Sequence, residues 1–130
     1  MRILVVSDVH ADFHKDVEIF TSKLTEADLL LVAGDLSEMR DSSYEEMVRL
    51  LSNKFSYVIH VPGNHEYYGK DMDWVEKMGS AMEALYPNYY FVNRRVVEID
   101  GIRVAGATTW FPYHENIDKN YMWLNDFDQI

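Results

Sequence analysis

Short apolar runs alternate along the chain with segments whose apolar residues recur at helical spacing. Residues 2–7 (RILVVS) and 28–33 (DLLLVA) read as buried strands, and 56–61 (SYVIHV) as a third strand. Between the first two, residues 14–24 place Val17, Phe20 and Leu24 on one side of an amphipathic helix. Ser42 and Ser43 can cap a second helix over 44–53, with Met47, Leu50 and Leu51 inward. A third helix fits 71–85, with Trp74, Met78, Met82 and Leu85 aligned. After Pro87, residues 89–92, 95–100 and 102–107 read as short strands, and Asp100-Gly101 is a two-residue hairpin signal. Strand–helix alternation followed by a meander predicts an α/β fold with a parallel core. Residues 121–130 read as the start of another element, apolar at Met122, Trp123, Phe127 and Ile130.

A length of 130 residues fits one domain, spanning 1–130. The net charge of −10, from 22 acidic and 12 basic residues, disfavours nucleic acid, which seeks a basic face. With no cysteine there is no disulfide and no thiol catalysis. The longest apolar run, Leu29 to Ala33, is far short of a membrane span, and the N-terminal run is too short for a signal-peptide core. A cytoplasmic location is expected.

Three polar clusters follow the three apolar strands: Asp8-Val9-His10, Gly34-Asp35 and Gly63-Asn64-His65-Glu66. In an open parallel sheet the carboxyl ends of the strands line one edge, where ligands bind. Carboxylate, imidazole and amide donors without thiolate suit Mn²⁺, Fe²⁺, Zn²⁺ or Mg²⁺. The spacing of Asp8 and His10 puts both side chains on one side of an extended segment, where they can grip one ion. The two oxygens of Asp35 can bridge two ions. Each glycine allows close backbone approach or positive φ. Each cluster alone is a weak signal: Asp-x-His arises by chance, and Gly-Asp after a strand is usually a turn. Their succession at three strand ends is a strong one. His60 reads as a packed core histidine, and His14 and His114 as surface or loop residues. Gly63 to Lys70 fails as a phosphate-binding P-loop because its glycine spacing is wrong.

The three clusters resemble the calcineurin-like metallophosphoesterase superfamily, with its Asp-x-His, Gly-Asp and Gly-Asn-His-Asp/Glu motifs. The likeness runs from residue 1 to about 110, including Gly101 to Thr109 (GIRVAGATT). It implies half of a four-layer α/β/β/α sandwich. It also implies two divalent metal ions, with Asp8 and His10 on one, Asp35 bridging and Asn64 on the other. His65 would sit by the phosphate as the catalytic residue that protonates the leaving group. The implied reaction is hydrolysis of a phosphate mono- or diester by hydroxide formed on metals roughly 3.5–4 Å apart.

The later His and the closing Gly-His-x-His of that pattern are absent from the 130 residues. The domain is therefore expected to be incomplete at its C-terminus, and to self-associate or to require a missing C-terminal half. Strand 29–32 should then have one wetted face. The expected substrate is a small phosphate ester. The alternative is a truncated, non-catalytic remnant acting as a metal-binding or interaction module.

Overall fold

The structure is a computed structural model and describes residues 1–109. Residues 121–130 and His114 lie outside the described residues. In chain order the elements are β1 (Ile3–Val6), α1 (Val17–Ser22), β2 (Leu29–Ala33), α2 (Ser42–Lys54), β3 (Tyr57–Val61), α3 (Met72–Leu85), β4 (Tyr89–Phe91), β5 (Arg95–Ile99) and β6 (Ile102–Gly106). Single 3-10 turns at Ala11–Phe13 and His65–Tyr67 follow β1 and β3.

Strands β1 to β4 form one parallel sheet in sequential order. The expected α/β fold with a parallel core is present. Membership differs in one place: residues 89–91, expected in the meander, pair in parallel with β3. Asn88 holds them there. Its amide donates to Ser52 O and Phe55 O, and its carbonyl accepts from Val58 N–H. The meander is thereby reduced to the antiparallel pair β5–β6. Asp100 (φ 49°) and Gly101 (φ 80°) provide the two positive φ angles that its tight turn requires.

The side-chain alternation of the strands divides the core between two faces. Leu4, Val6, Leu30, Val32, Val58, Tyr89 and Phe91 pack against the helices. Leu29, Ile59 and Val92 face the hairpin residues Val97, Ile99 and Val104. This hairpin covers part of the face expected to be wetted: Leu29 is buried beneath it, Leu31 is half-buried and Ala33 at the strand end is exposed. Apolar exposure falls instead on the edge strand, at Ile3 (44%) and Val5 (60%).

Two helix readings shift. The cap of α2 is Asp41, whose carboxylate accepts from Ser43 N–H, because Ser42 and Ser43 already lie in the first turn. The buried face of α3 is Val75, Gly79 and Met82; of the expected stripe Met82 is buried, Trp74 and Met78 are half-buried and Leu85 is exposed. Bulky Trp74 and Met78 flank that face, and Gly79 is the point of closest approach to β4.

Candidate metal centre

The loops after β1, β2 and β3 meet at the carboxyl edge of the sheet. The first two run side by side. Asp8 N–H donates to Gly34 O (3.1 Å), His10 N–H to Asp35 O (3.0 Å) and Ala11 N–H to Leu36 O (2.8 Å). Asp8, His10 and Asp35 all take left-handed backbone, with φ of 53°, 48° and 55°. Such a conformation costs a non-glycine residue roughly 1–2 kcal/mol. Its concentration at one sheet edge is the pattern of a functional site, where surrounding structure holds strained backbone in place. It also corrects the extended-segment argument for Asp8 and His10: neither residue is extended. The left-handed turn at His10, leading into Ala11–Phe13, carries its ring to Asp35.

Asp8, Asp35 and Asn64 line one open cavity of about 560 Å³, together with Gly34, Gly63 and the segment Ala105–Thr109. His10, Asp35 and His65 each bring one potential ligand atom within 4.8 Å of the others. Asp35 belongs to both arrangements. The Asp8 carboxylate is outside the tight trio, and His65, for which the resemblance implied no metal contact, is inside it. The two histidine rings meet edge to face with centroids 4.4 Å apart.

The donor set fits a divalent ion. Nδ1 of His10 and Nδ1 of His65 are buried with no hydrogen-bond partner among the described residues. A buried polar atom without a partner is costly, and a metal–nitrogen bond is one remedy. Bonds of about 2.0–2.2 Å place two ligands of one ion at most about 4.4 Å apart. The trio is within a few tenths of an ångström of that limit.

With this geometry established, sequence comparison is decisive: the profile of the calcineurin-like phosphoesterase family matches residues 1–129. The chain belongs to that family. A metallophosphoesterase of Helicobacter pylori with no assigned function is 27% identical over 118 residues, covering 85% of this chain and 30% of that protein. An uncharacterized protein of Acanthamoeba polyphaga mimivirus is 27% identical over 149 aligned positions, covering all of this chain and 52% of the relative. The fold is similar to the phosphopantetheinyl hydrolase of Mycobacterium tuberculosis. The TM-score is 0.56 at 23% identity, over 84% of this chain and 42% of that one. The chain thus spans about half, or less, of the length of these relatives.

Two of the three loops of the candidate site are held together by a residue that sequence reasoning left without a role. Glu66 is wholly buried. Its Oε1 accepts from Leu36 N–H (2.6 Å) and its Oε2 from Asp35 N–H (3.1 Å) and Gly63 N–H (2.7 Å). One carboxylate therefore ties the loop after β2 to the loop after β3. Burial raises its pKa, but the hydrogen bond from His60, with the Gly63 and Leu36 N–H groups, brings the carboxyl below its usual range. His60, read as a core histidine, is indeed buried, and it bonds Glu66. The legible signal was a histidine inside an apolar strand, since a buried polar ring needs a partner.

Asp35 moves the other way. Burial raises its pKa most, and the Glu66 charge adds to that. The His65 N–H (3.0 Å to Oδ1) and the nearby His65 and His10 rings oppose it. A divalent ion supplies the positive charge that such a carboxylate lacks. Glu38, three residues after Asp35, accepts from Arg40 Nε at 2.6 Å.

Proposed function

We propose that this chain forms the N-terminal part of a metal-dependent phosphoester hydrolase. The observation that carries this reading is the His10–Asp35–His65 group, with its two orphaned ring nitrogens, opening onto a cavity lined by Asp8 and Asn64. Asp8, His10, Asp35 and Asn64 are proposed to hold two divalent ions, with Asp35 shared, and Mn²⁺ suits these donors. When bound, such ions supply Lewis acidity toward a phosphoryl oxygen and toward water.

The chain's own residues do the rest. Asp35, fixed by the His65 N–H, presents its carboxylate to the cavity wall. His65, between His10 and Tyr68, is proposed to hold the proton that the leaving oxygen takes up. Ala105–Thr109 forms the opposite wall, secured where Thr108 Oγ1 donates to Pro62 O at 2.7 Å. The cavity volume suits a small phosphate ester, and an acidic chain disfavours nucleic acid. Exposed Ile3 and Val5 on the edge strand favour cover by further polypeptide, of the kind that the longer relatives carry.

Elemental analysis after equilibration with Mn²⁺, alongside hydrolysis of p-nitrophenyl phosphate and its bis-ester, tests this reading. Bound Mn²⁺ that disappears in Asp35→Asn is the expected result. Binding unchanged by that substitution, or no binding at all, refutes it. Hydrolysis of one ester and not the other assigns the mono- or diesterase class. Metal binding without hydrolysis of either ester would favour the non-catalytic module.

A further inference from the structure

The turn after β3 places Tyr68 against two site residues at once. Its hydroxyl accepts from Asn64 Nδ2 at 3.0 Å, and its ring lies 4.4 Å from the His65 ring at an interplanar angle of 32°. The local backbone explains both contacts. Residues 65–67 form a 3-10 turn, closed by Tyr68 N–H on His65 O. Residues three apart eclipse in such a turn, so Tyr68 falls over His65. Tyr68 is 7% exposed, so its ring is held by packing.

Asparagine has an orientation problem that aspartate lacks. Its amide ends in one oxygen, which can ligate a cation, and one NH₂, which cannot. The hydrogen bond from Nδ2 to the Tyr68 hydroxyl sets which way the amide faces, and with it the direction of Oδ1. A hydroxyl suits the task because it can accept from the amide.

We propose that Tyr68 is a positioning residue for the metal site, orienting the Asn64 amide oxygen through its hydroxyl and buttressing His65 with its ring. This rests on the metal-site reading above. The hydroxyl and the ring are separable. Tyr68→Phe removes only the first, and in an Asn64→Asp background both terminal atoms are oxygens, so there is no amide to orient.

Isothermal titration of the full chain with MnCl₂ provides the test, using wild type, Tyr68→Phe, Asn64→Asp and the double variant. Thermal melts without metal run in parallel. Loss of an outer partner of a metal ligand costs about 10–100-fold in affinity, and that loss is expected for Tyr68→Phe with little change in the metal-free melt. In the Asn64→Asp background the same substitution should change affinity by less than about threefold, since the coupling has been removed. Equal affinity of wild type and Tyr68→Phe, or an equal loss in both backgrounds, overturns the role of Tyr68 while leaving the metal site intact. Wild-type chain that takes up no Mn²⁺ overturns the metal-site reading itself. One readout is independent of metal: the Asn64 side-chain amide protons should exchange more slowly in wild type than in Tyr68→Phe by NMR. Equal exchange counts against the hydroxyl contact directly.

Discussion

Nε2 of His60 lies 3.1 Å from Oε1 of Glu66, and neither side chain reaches solvent. An ionised carboxylate only accepts, so the ring carries a hydrogen on Nε2 and its Nδ1 can accept from the Tyr89 hydroxyl at 2.7 Å. Tyr89 in turn lies 2.8 Å from the Tyr44 hydroxyl. Burial drives both phenols upward, so both remain protonated donors. The chain of contacts links α2 and β4 to the carboxylate that ties together the loops after β2 and β3.

Glu66→Gln is therefore expected to be severe. The glutamine NH₂ would confront backbone N–H donors of Asp35 and Gly63, or that of Leu36 and the His60 ring, depending on its rotation. Breaking a buried pair costs about 3–5 kcal/mol, measurable by urea denaturation at pH 7. The folded pKa of Glu66 is depressed, so its contribution is present above the ordinary value of 4.5 and is lost as pH falls through the folded value. The variant should show a flatter acid limb of stability against pH. A loss below about 1 kcal/mol would contradict the clamp.

Gly63→Ala probes the same crossing by sterics. A β-carbon there would lie 2.7 Å from Asp35 N and closer still to its carboxylate oxygen. Backbone cannot retreat cheaply, because Glu66 binds both loops. Overpacking of this kind costs about 1–3 kcal/mol, and Mn²⁺ affinity should fall with it because Asp35 is displaced. Unchanged affinity in a folded Gly63→Ala chain would show that Asp35 is not where the metal binds.

The sheet and the site edge were legible because they rest on strong local signals. Apolar runs marked the parallel strands, although the first, read as buried, proves to be a half-exposed edge strand, and Gly-Asp or Gly-Asn after such runs marks a loop at the carboxyl edge. What the sequence could not show was conformation within those loops. Asp8 and His10 are two apart, and the period-two rule places them together only in extended chain; their left-handed φ angles come from pairing with the β2 loop. Glu66 was similarly hidden, since its partners are backbone N–H groups that leave no trace in residue identity. The placement of β4 depended on Asn88, a polar residue whose bonds cross more than thirty positions.

Asp35→Asn should separate stability from function. The folded pKa of Asp35 is raised, chiefly by burial. Stability is then fully present below the ordinary value of 3.8 and is lost as pH rises through the folded value, where the desolvated carboxylate ionises. Asparagine removes that ionisation and tolerates left-handed backbone well. The metal-free variant is expected to melt a few degrees above wild type at pH 7 and at the same temperature near pH 3, while Mn²⁺ no longer raises its melting temperature. A variant less stable at pH 7, in differential scanning calorimetry without metal, would show that ionised Asp35 is compensated by its surroundings alone.

Gly79→Ala tests whether the contact between α3 and β4 outweighs helix propensity. In an exposed helix interior, glycine to alanine gains roughly 1 kcal/mol. Gly79 is instead on the buried face of α3, and a β-carbon would overlap the ring of Phe91. That ring has little freedom to move. Phe91 is paired in register with His60, its N–H donates to Glu83 Oε1 at 2.7 Å, and its ring meets the His60 ring edge-on at 5.6 Å. The overlap should override propensity, for a net loss of about 1–3 kcal/mol. Ser80→Ala, on the exposed side of the same turn, serves as the control and should be within about 0.5 kcal/mol of wild type. Because Phe91 touches His60 and not the cavity, Mn²⁺ affinity of folded Gly79→Ala should stay within about threefold of wild type. If Gly79→Ala proves more stable than wild type in urea melts, the helix and the strand are packed less tightly than the ring contact requires. A folded variant that loses Mn²⁺ binding would instead show that strain at Phe91 reaches the loops through His60 and Glu66.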